Sequence, residues 1–281
     1  MRGTAFRAPK TEIIGKGHTL DSLSRHVMAQ PEAAEPMIMH NTIMGEAAGA
    51  SLIALAVFLF LARRGDRLWA RGWALTFGVG SLILTSLSWD AITTGPFTAK
   101  PEINMVFGGP LFWFGVLLGA AALYLWVHGD TLQEPTGAKR GETELYRFTA
   151  TTRGTFSPVY LLVLAAGLNL LGNAAAIVRF NLVGGAPASE PITGRLGHIA
   201  WIENNSFGLV YALAGIATIL LIGAVRDLGG RVATVVITLF FASGLFFLVF
   251  STLNEYTHPG LMINKCVQGT MENCAEWKYN Y

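Results

Sequence analysis

Three copies of one short pattern, Asn-x-x-[Met/Phe]-Gly, constrain this chain more than any other feature. They are Asn41-Thr-Ile-Met-Gly45, Asn104-Met-Val-Phe-Gly108 and Asn204-Asn-Ser-Phe-Gly208. Each heads a long apolar run: the first ends at Arg63-Arg64, the second reaches Trp126 and the third ends at Arg226. An Asn at a helix N-cap accepts a backbone N–H of the first turn, a bond that matters more near lipid, where water is scarce. The pattern therefore predicts Asn41, Asn104 and Asn204 as helix caps, each opening a helical hairpin.

Six apolar runs come close to the about 20 residues a spanning helix needs: Gly45–Ala62, Gly72–Trp89, Val106–Val127, Phe156–Val178, Phe207–Val225 and Val232–Leu253. Composition agrees, since 52% hydrophobic and 14% charged residues over 281 positions, with a mean hydropathy of +0.45, are too apolar for one soluble core. The runs lack the alternation of a membrane barrel. The expected fold is all-α: a polytopic membrane protein with six transmembrane helices arranged as three helical hairpins. Residues 1–36 read as a poorly ordered N-terminal extension without the apolar core of a cleaved signal. Residues 37–260 form the transmembrane domain, and 261–281 a C-terminal tail. A net charge of +2 with no basic stripe excludes a nucleic-acid partner, and the absence of a glycine-rich phosphate loop excludes a nucleotide.

Loop charge sets the expected orientation in the cell membrane. Arg63, Arg64, Arg67, Arg71, Lys139, Arg140, Arg147, Arg153, Arg226 and Arg231 share one side, against Lys100, Arg179, Arg195, Lys265 and Lys278 on the other. The positive-inside rule makes the first side cytoplasmic and both termini extracytoplasmic. The basic residues of the N-terminal extension oppose this and are outweighed by three concordant loops. Cys266 and Cys274 would then lie in an oxidising compartment, where a disulfide is the expected state.

Several residues qualify as site candidates. Gly45-x-x-x-Gly49 and Gly115-x-x-x-Gly119 offer close helix-packing faces. Asn169 and Asn173 share one face of the fourth span, either as interhelical hydrogen-bonding groups or as a ligand station. On the outer side His40, Asp90, Glu203, Glu255 and His258 are of metal-ligating type, although none stands at a His-x-x-His or His-x-x-x-His spacing. The outer segment before the fifth span, with Glu190, Arg195, His198 and Trp201, reads as partly amphipathic.

The first and last hairpins match in length and orientation, which makes the repeat parallel and weakens an alternating-access reading. The run Ser88-Trp89-Asp90 through Gly95-Pro96, then Asn104-x-x-Phe-Gly-x-Pro110-Leu-x-Trp-Phe-Gly115, with Asn41-Thr-Ile-Met44, resembles a family of prokaryotic integral membrane proteins known only as a domain of unknown function. The likeness is clearest over residues 39–127. It implies a polytopic helical protein and carries no catalytic residue.

Three functions remain open on these grounds. The leading expectation is a non-catalytic structural or accessory subunit that packs on other membrane subunits or on itself through small-residue faces. The alternatives are a protein that binds or transports a small or lipid-like molecule, and an extracytoplasmic metal-dependent redox protein. The cofactor is unknown.

Overall fold

The computed structural model describes residues 38–97 and 101–269. The N-terminal extension, Lys100, Cys274 and Lys278 lie outside the described residues, and so does the expected disulfide. Six helices are long and apolar enough to cross a membrane. They are α1 (Ile38–Arg64), α2 (Ala70–Thr94), α3 (Glu102–His128), α5 (Tyr160–Phe180), α6 (Ala200–Arg226) and α7 (Arg231–Val267); a short α4 (Ala150–Phe156) precedes α5. Leucines and valines on outward faces are widely exposed, as at Leu82 (68%) and Leu161 (75%), an arrangement stable only against lipid.

Each long helix packs against the next in the chain, and α7 closes back on α1, so the six form a ring. The closest contacts are α2 with α3, α1 with α7 and α5 with α6. The three hairpins read from the sequence, α1–α2, α3–α5 and α6–α7, are therefore not the tight units. Glycine placement decides this. A Cβ on Gly49 of α1 would sit 2.5 Å from the Leu248 nitrogen and 2.8 Å from the Gly244 carbonyl oxygen of α7. A Cβ on Gly215 of α6 would sit 3.0 Å from the Gly167 carbonyl of α5, and one on Gly115 of α3 would sit 2.8 Å from Thr85 of α2. Backbone meets backbone in these pairs, and α3 with α5 is the loosest of the neighbouring seams.

The ring has two ends. The terminal face carries the start of α1, residues 95–97, residue 101, residues 181–199 and the end of α7. The hairpin face carries residues 65–69, 129–159 and 227–230. α1 ends there with Gly65 at φ +76°, the Asp66 N–H bonding the Leu61 carbonyl and the Gly65 N–H that of Ala62, so the last orphan carbonyls are satisfied.

Residues 129–159 hold a feature that the sequence reading took for a solvated connection. β1 (Gln133–Arg140) and β2 (Thr143–Phe148) pair antiparallel around a turn whose first residue, Gly141, has φ +62°, the backbone state that a two-residue hairpin loop demands. Gln133 fastens the hairpin to the α1–α2 connection, accepting from the Leu68 N–H at 2.8 Å and donating to the Asp66 carbonyl at 3.1 Å. Leu132 and Phe148 are thereby buried under the ring.

Two further expectations change. α3 begins at Glu102, so Pro110 lies well inside it. α7 runs through Pro259-Gly260 to Val267, so the tail expected from residue 261 starts as helix. At roughly 1.5 Å per residue its 37 residues exceed the about 30 Å hydrocarbon core. Pro259 is tolerated because Glu255 is exposed there, and solvent can take up the carbonyl that lacks a helical partner.

Candidate functional site

The three asparagines of the repeated pattern do not cap their helices, which begin earlier, at Ile38, Glu102 and Ala200. They lie in the opening turns and bond sideways. Asn104 accepts from the Phe97 N–H at 3.1 Å and donates to the Phe97 carbonyl at 3.1 Å and the Pro101 carbonyl at 3.2 Å. Asn204 accepts from the Val183 N–H at 3.0 Å and donates to the Ala200 carbonyl at 2.9 Å. Phe97 and Val183 are equivalent positions, each two residues past a left-handed residue that ends the preceding helix, Gly95 at φ 62° and Asn181 at φ 51°. Each Asn thus grips the chain arriving from the helix with which its own helix pairs. Asn41 has no such arrival, because α7 passes without turning, and its buried Oδ1 has no hydrogen-bond partner among the described residues.

The glycine at the end of each pattern serves the same pairing. Gly45 abuts Ser251 of α7, Gly108 abuts Ala91 and Ile92 of α2, and Gly208 abuts Val178 of α5. Gly119 abuts Ser81 of α2. Gly45, Gly49, Gly115 and Gly119, expected to meet other subunits, are thus occupied within this chain.

The titratable groups of the terminal face separate into pairs. His40 donates through Nε2 to the Leu87 carbonyl at 2.8 Å, because the carbonyl can only accept, and holds Nδ1 3.6 Å from Asp90. His258 places Nδ1 3.2 Å from the Thr42 hydroxyl and Nε2 3.6 Å from Glu190. Glu203 accepts from the Gly185 N–H, and Glu255 is exposed. The five residues expected as a metal set do not converge, and among the described residues no group of three His, Cys, Asp or Glu is placed to hold a metal. Glu190 is the residue that the sequence did not single out for this pairing. Burial pushes its carboxyl above the ordinary 4.5, and the hydroxyls of Thr257 and Thr193 pull it back down. The Thr257 hydroxyl itself is buried outside hydrogen-bonding geometry. The segment bearing Glu190 is also fastened by Asn264, which donates to the Ser189 carbonyl at 2.7 Å.

Asn169 and Asn173 bond each other, the Asn173 amide donating to the Asn169 carbonyl at 2.9 Å, and neither lines the cavity inside the ring. The cavity of about 210 Å³ lies inside the ring instead. Its walls come chiefly from Pro110, Phe114, Leu117 and Ala121 of α3, from Val163, Ala166 and Leu170 of α5, and from Ala214, Thr218 and Leu221 of α6. Leu132 and Phe148 close the end at the hairpin face. The other end meets Tyr211 and Phe247, members of an aromatic cluster in which Phe207 and Phe250 stand 4.8 Å apart, edge to face. Two hydroxyls of the wall are engaged locally, that of Tyr211 donating to the Val106 carbonyl at 3.2 Å and that of Thr218 to the Ala214 carbonyl at 2.8 Å. Sequence reasoning missed this chamber because residues facing a void and residues facing a packed core are the same types at the same helical spacing.

No curated protein and no solved structure matches the chain. Residues 36–259, which contain the whole ring apart from the last turns of α7, match the family model described as protein of unknown function (DUF981). Asn41, the two gripping asparagines and the chamber all lie within that match, and the chain belongs to this family of proteins of unknown function.

Proposed function

We propose that this is a non-catalytic membrane protein that binds one hydrocarbon chain of a lipid-like molecule in the chamber of its ring. The observation that carries the reading is the chamber's position, behind the loosest seam, α3 with α5, with largely apolar walls in which the Tyr211 and Thr218 hydroxyls are already bonded. An apolar void in a close-packed interior forfeits dispersion contacts and is relieved by an apolar guest. Half-buried Phe114, Leu117 and Val163 flank the seam through which a chain would enter from the bilayer. The glycine faces through which the subunit reading would pack are closed within the chain, which favours the chamber over that reading. Basic residues on the hairpin face support a cytoplasmic placement of that face, with the termini outside.

Native mass spectrometry of the chain extracted in mild detergent tests the proposal. One retained lipid-sized adduct is expected for the wild type and none for Ala166→Phe or Ala214→Phe, which fill the chamber. An adduct equally retained by all three proteins, or none in the wild type, would overturn it. A stoichiometric protein partner would restore the subunit reading.

A further inference from the structure

The chamber's rim at the hairpin face carries a charge that its interior does not. Tyr160 and Val225 line the chamber, and the Arg226 guanidinium stands 5.1 Å from the Tyr160 ring centroid. Arg226 is exposed and forms no ion pair among the described residues. The adjacent carboxylate, Asp227, turns to the Gly230 N–H at 3.1 Å. Three other arginines of this face are neutralised, since Arg64 and Arg140 lie beside Asp66 and Arg147 bonds Glu134 at 2.9 Å, and Arg63 donates to the Gly230 carbonyl at 2.8 Å; what sets Arg226 apart from the remaining arginines is its place against a ring of the chamber wall. The opposite end of the chamber is lined by the aromatic rings of Tyr211 and Phe247.

We infer that the occupant is an anionic lipid, its chain in the chamber and its negatively charged headgroup on Arg226. The inference rests on the chain-binding reading above and adds the headgroup. Two features favour an amphiphile over a compact apolar molecule. The cavity of about 210 Å³ is smaller than the about 300–1,000 Å³ of pockets that hold drug-sized ligands. Its one cation sits where an apolar wall meets the polar layer, fixed over an aromatic face that keeps the guanidinium edge free for an anion.

The test uses the full chain exchanged into micelles containing phosphatidylglycerol and phosphatidylcholine with identical acyl chains, with the retained lipid read by native mass spectrometry. The wild type is expected to favour the anionic lipid by about fivefold, the order expected for one basic residue at a membrane surface. Arg226→Gln should bring the ratio near unity while total lipid retention persists, and Arg226→Lys should keep most of the preference. Arg71→Gln, at an exposed arginine of the same face outside the chamber lining, should leave the ratio unchanged. Equal retention of both lipids by the wild type, or equal loss of preference in the Arg71 and Arg226 variants, would overturn the headgroup site while leaving chain binding intact. Failure of the wild type to retain either lipid would overturn both readings.

Discussion

The two sides of α3 show how one helix can be both structural and receptive. Toward α2 it presents Gly108, Gly115 and Gly119, and backbone approaches side chains and backbone so closely that no Cβ fits without movement. Toward α5 it presents Pro110, Phe114, Leu117 and Ala121, large and small residues in alternation that leave a chamber. In lipid no hydrophobic drive pushes helices together, so association depends on close packing and on hydrogen bonds. The tight side has both, through the glycines and through the grip of Asn104 on Phe97. Close packing on three alternate seams leaves room for a guest on another without loss of the ring.

The largest effect should come from breaking a tight seam. Gly49→Leu or Gly244→Leu drives a branched side chain into backbone of the opposite helix, which cannot rotate away as a side chain can. The loss should reach or exceed the upper end of the about 1–3 kcal/mol typical of overpacked cores. Thermal unfolding followed by size-exclusion chromatography in detergent should show a strongly lowered midpoint or no folded protein. A midpoint near that of the wild type would mean that α1 and α7 are not in backbone contact.

Next come the gripping asparagines, which form an internal control. Asn104→Leu and Asn204→Leu leave the Phe97 and Val183 N–H groups without their acceptor, a loss of about 2 kcal/mol each. Asn41→Leu removes an acceptor that already lacks a donor and should be nearly neutral or stabilising. Hydrogen exchange at Phe97 and Val183 reads the first two directly. Equal destabilisation at all three positions would remove the distinction between the two arriving segments and the α7 side.

Filling the chamber should matter less for stability than either of these. Ala166→Phe adds apolar volume where space exists, so its effect on the unfolding midpoint should be small, below about 1.5 kcal/mol. A shift as large as that of Gly49→Leu would show that the chamber side is packed like the tight side.

The smallest effect concerns the segment over the terminal face. A carboxyl raised above its unfolded value adds stability that is fully present below about 4.5 and is lost as pH rises through the higher folded value. Docking of residues 182–199 by Glu190 should therefore tighten on acidification, seen as slower exchange at the Gly194 N–H, which bonds the Glu190 carbonyl at 3.1 Å. Glu190→Gln should flatten this dependence. An unchanged pH profile in that variant would place the titration elsewhere.

The six spans were legible because continuous apolar runs of this length have one common solution in a bilayer. The repeated Asn-x-x-[Met/Phe]-Gly pattern was legible as a feature of helix starts, yet its role was not. Residue type shows that an Asn side chain needs partners near a helix end, but not whether the donor is its own first turn or a segment arriving from elsewhere. Pairing was misread for a related reason: loop order shows which helices are neighbours, and only the opposing glycines, Gly49 with Gly244 and Gly167 with Gly215, show which neighbours touch through backbone. The β-hairpin did leave a signal in Gly141 at the turn. The Glu190–His258 pair left none, since it joins an irregular segment to a helix end 68 residues later by 258 − 190.

On the proposed function, the chamber side of α3 admits a lipid chain and the glycine side does not. A lipid bearing a diazirine near the end of its acyl chain, activated by light and followed by peptide mass spectrometry, tests it most directly. Labels are predicted on chamber residues such as Leu117, Ala121, Val163 and Ala214. Labels confined to outward-facing residues such as Leu123, Leu161 and Leu209, with the chamber residues unmarked, would contradict it.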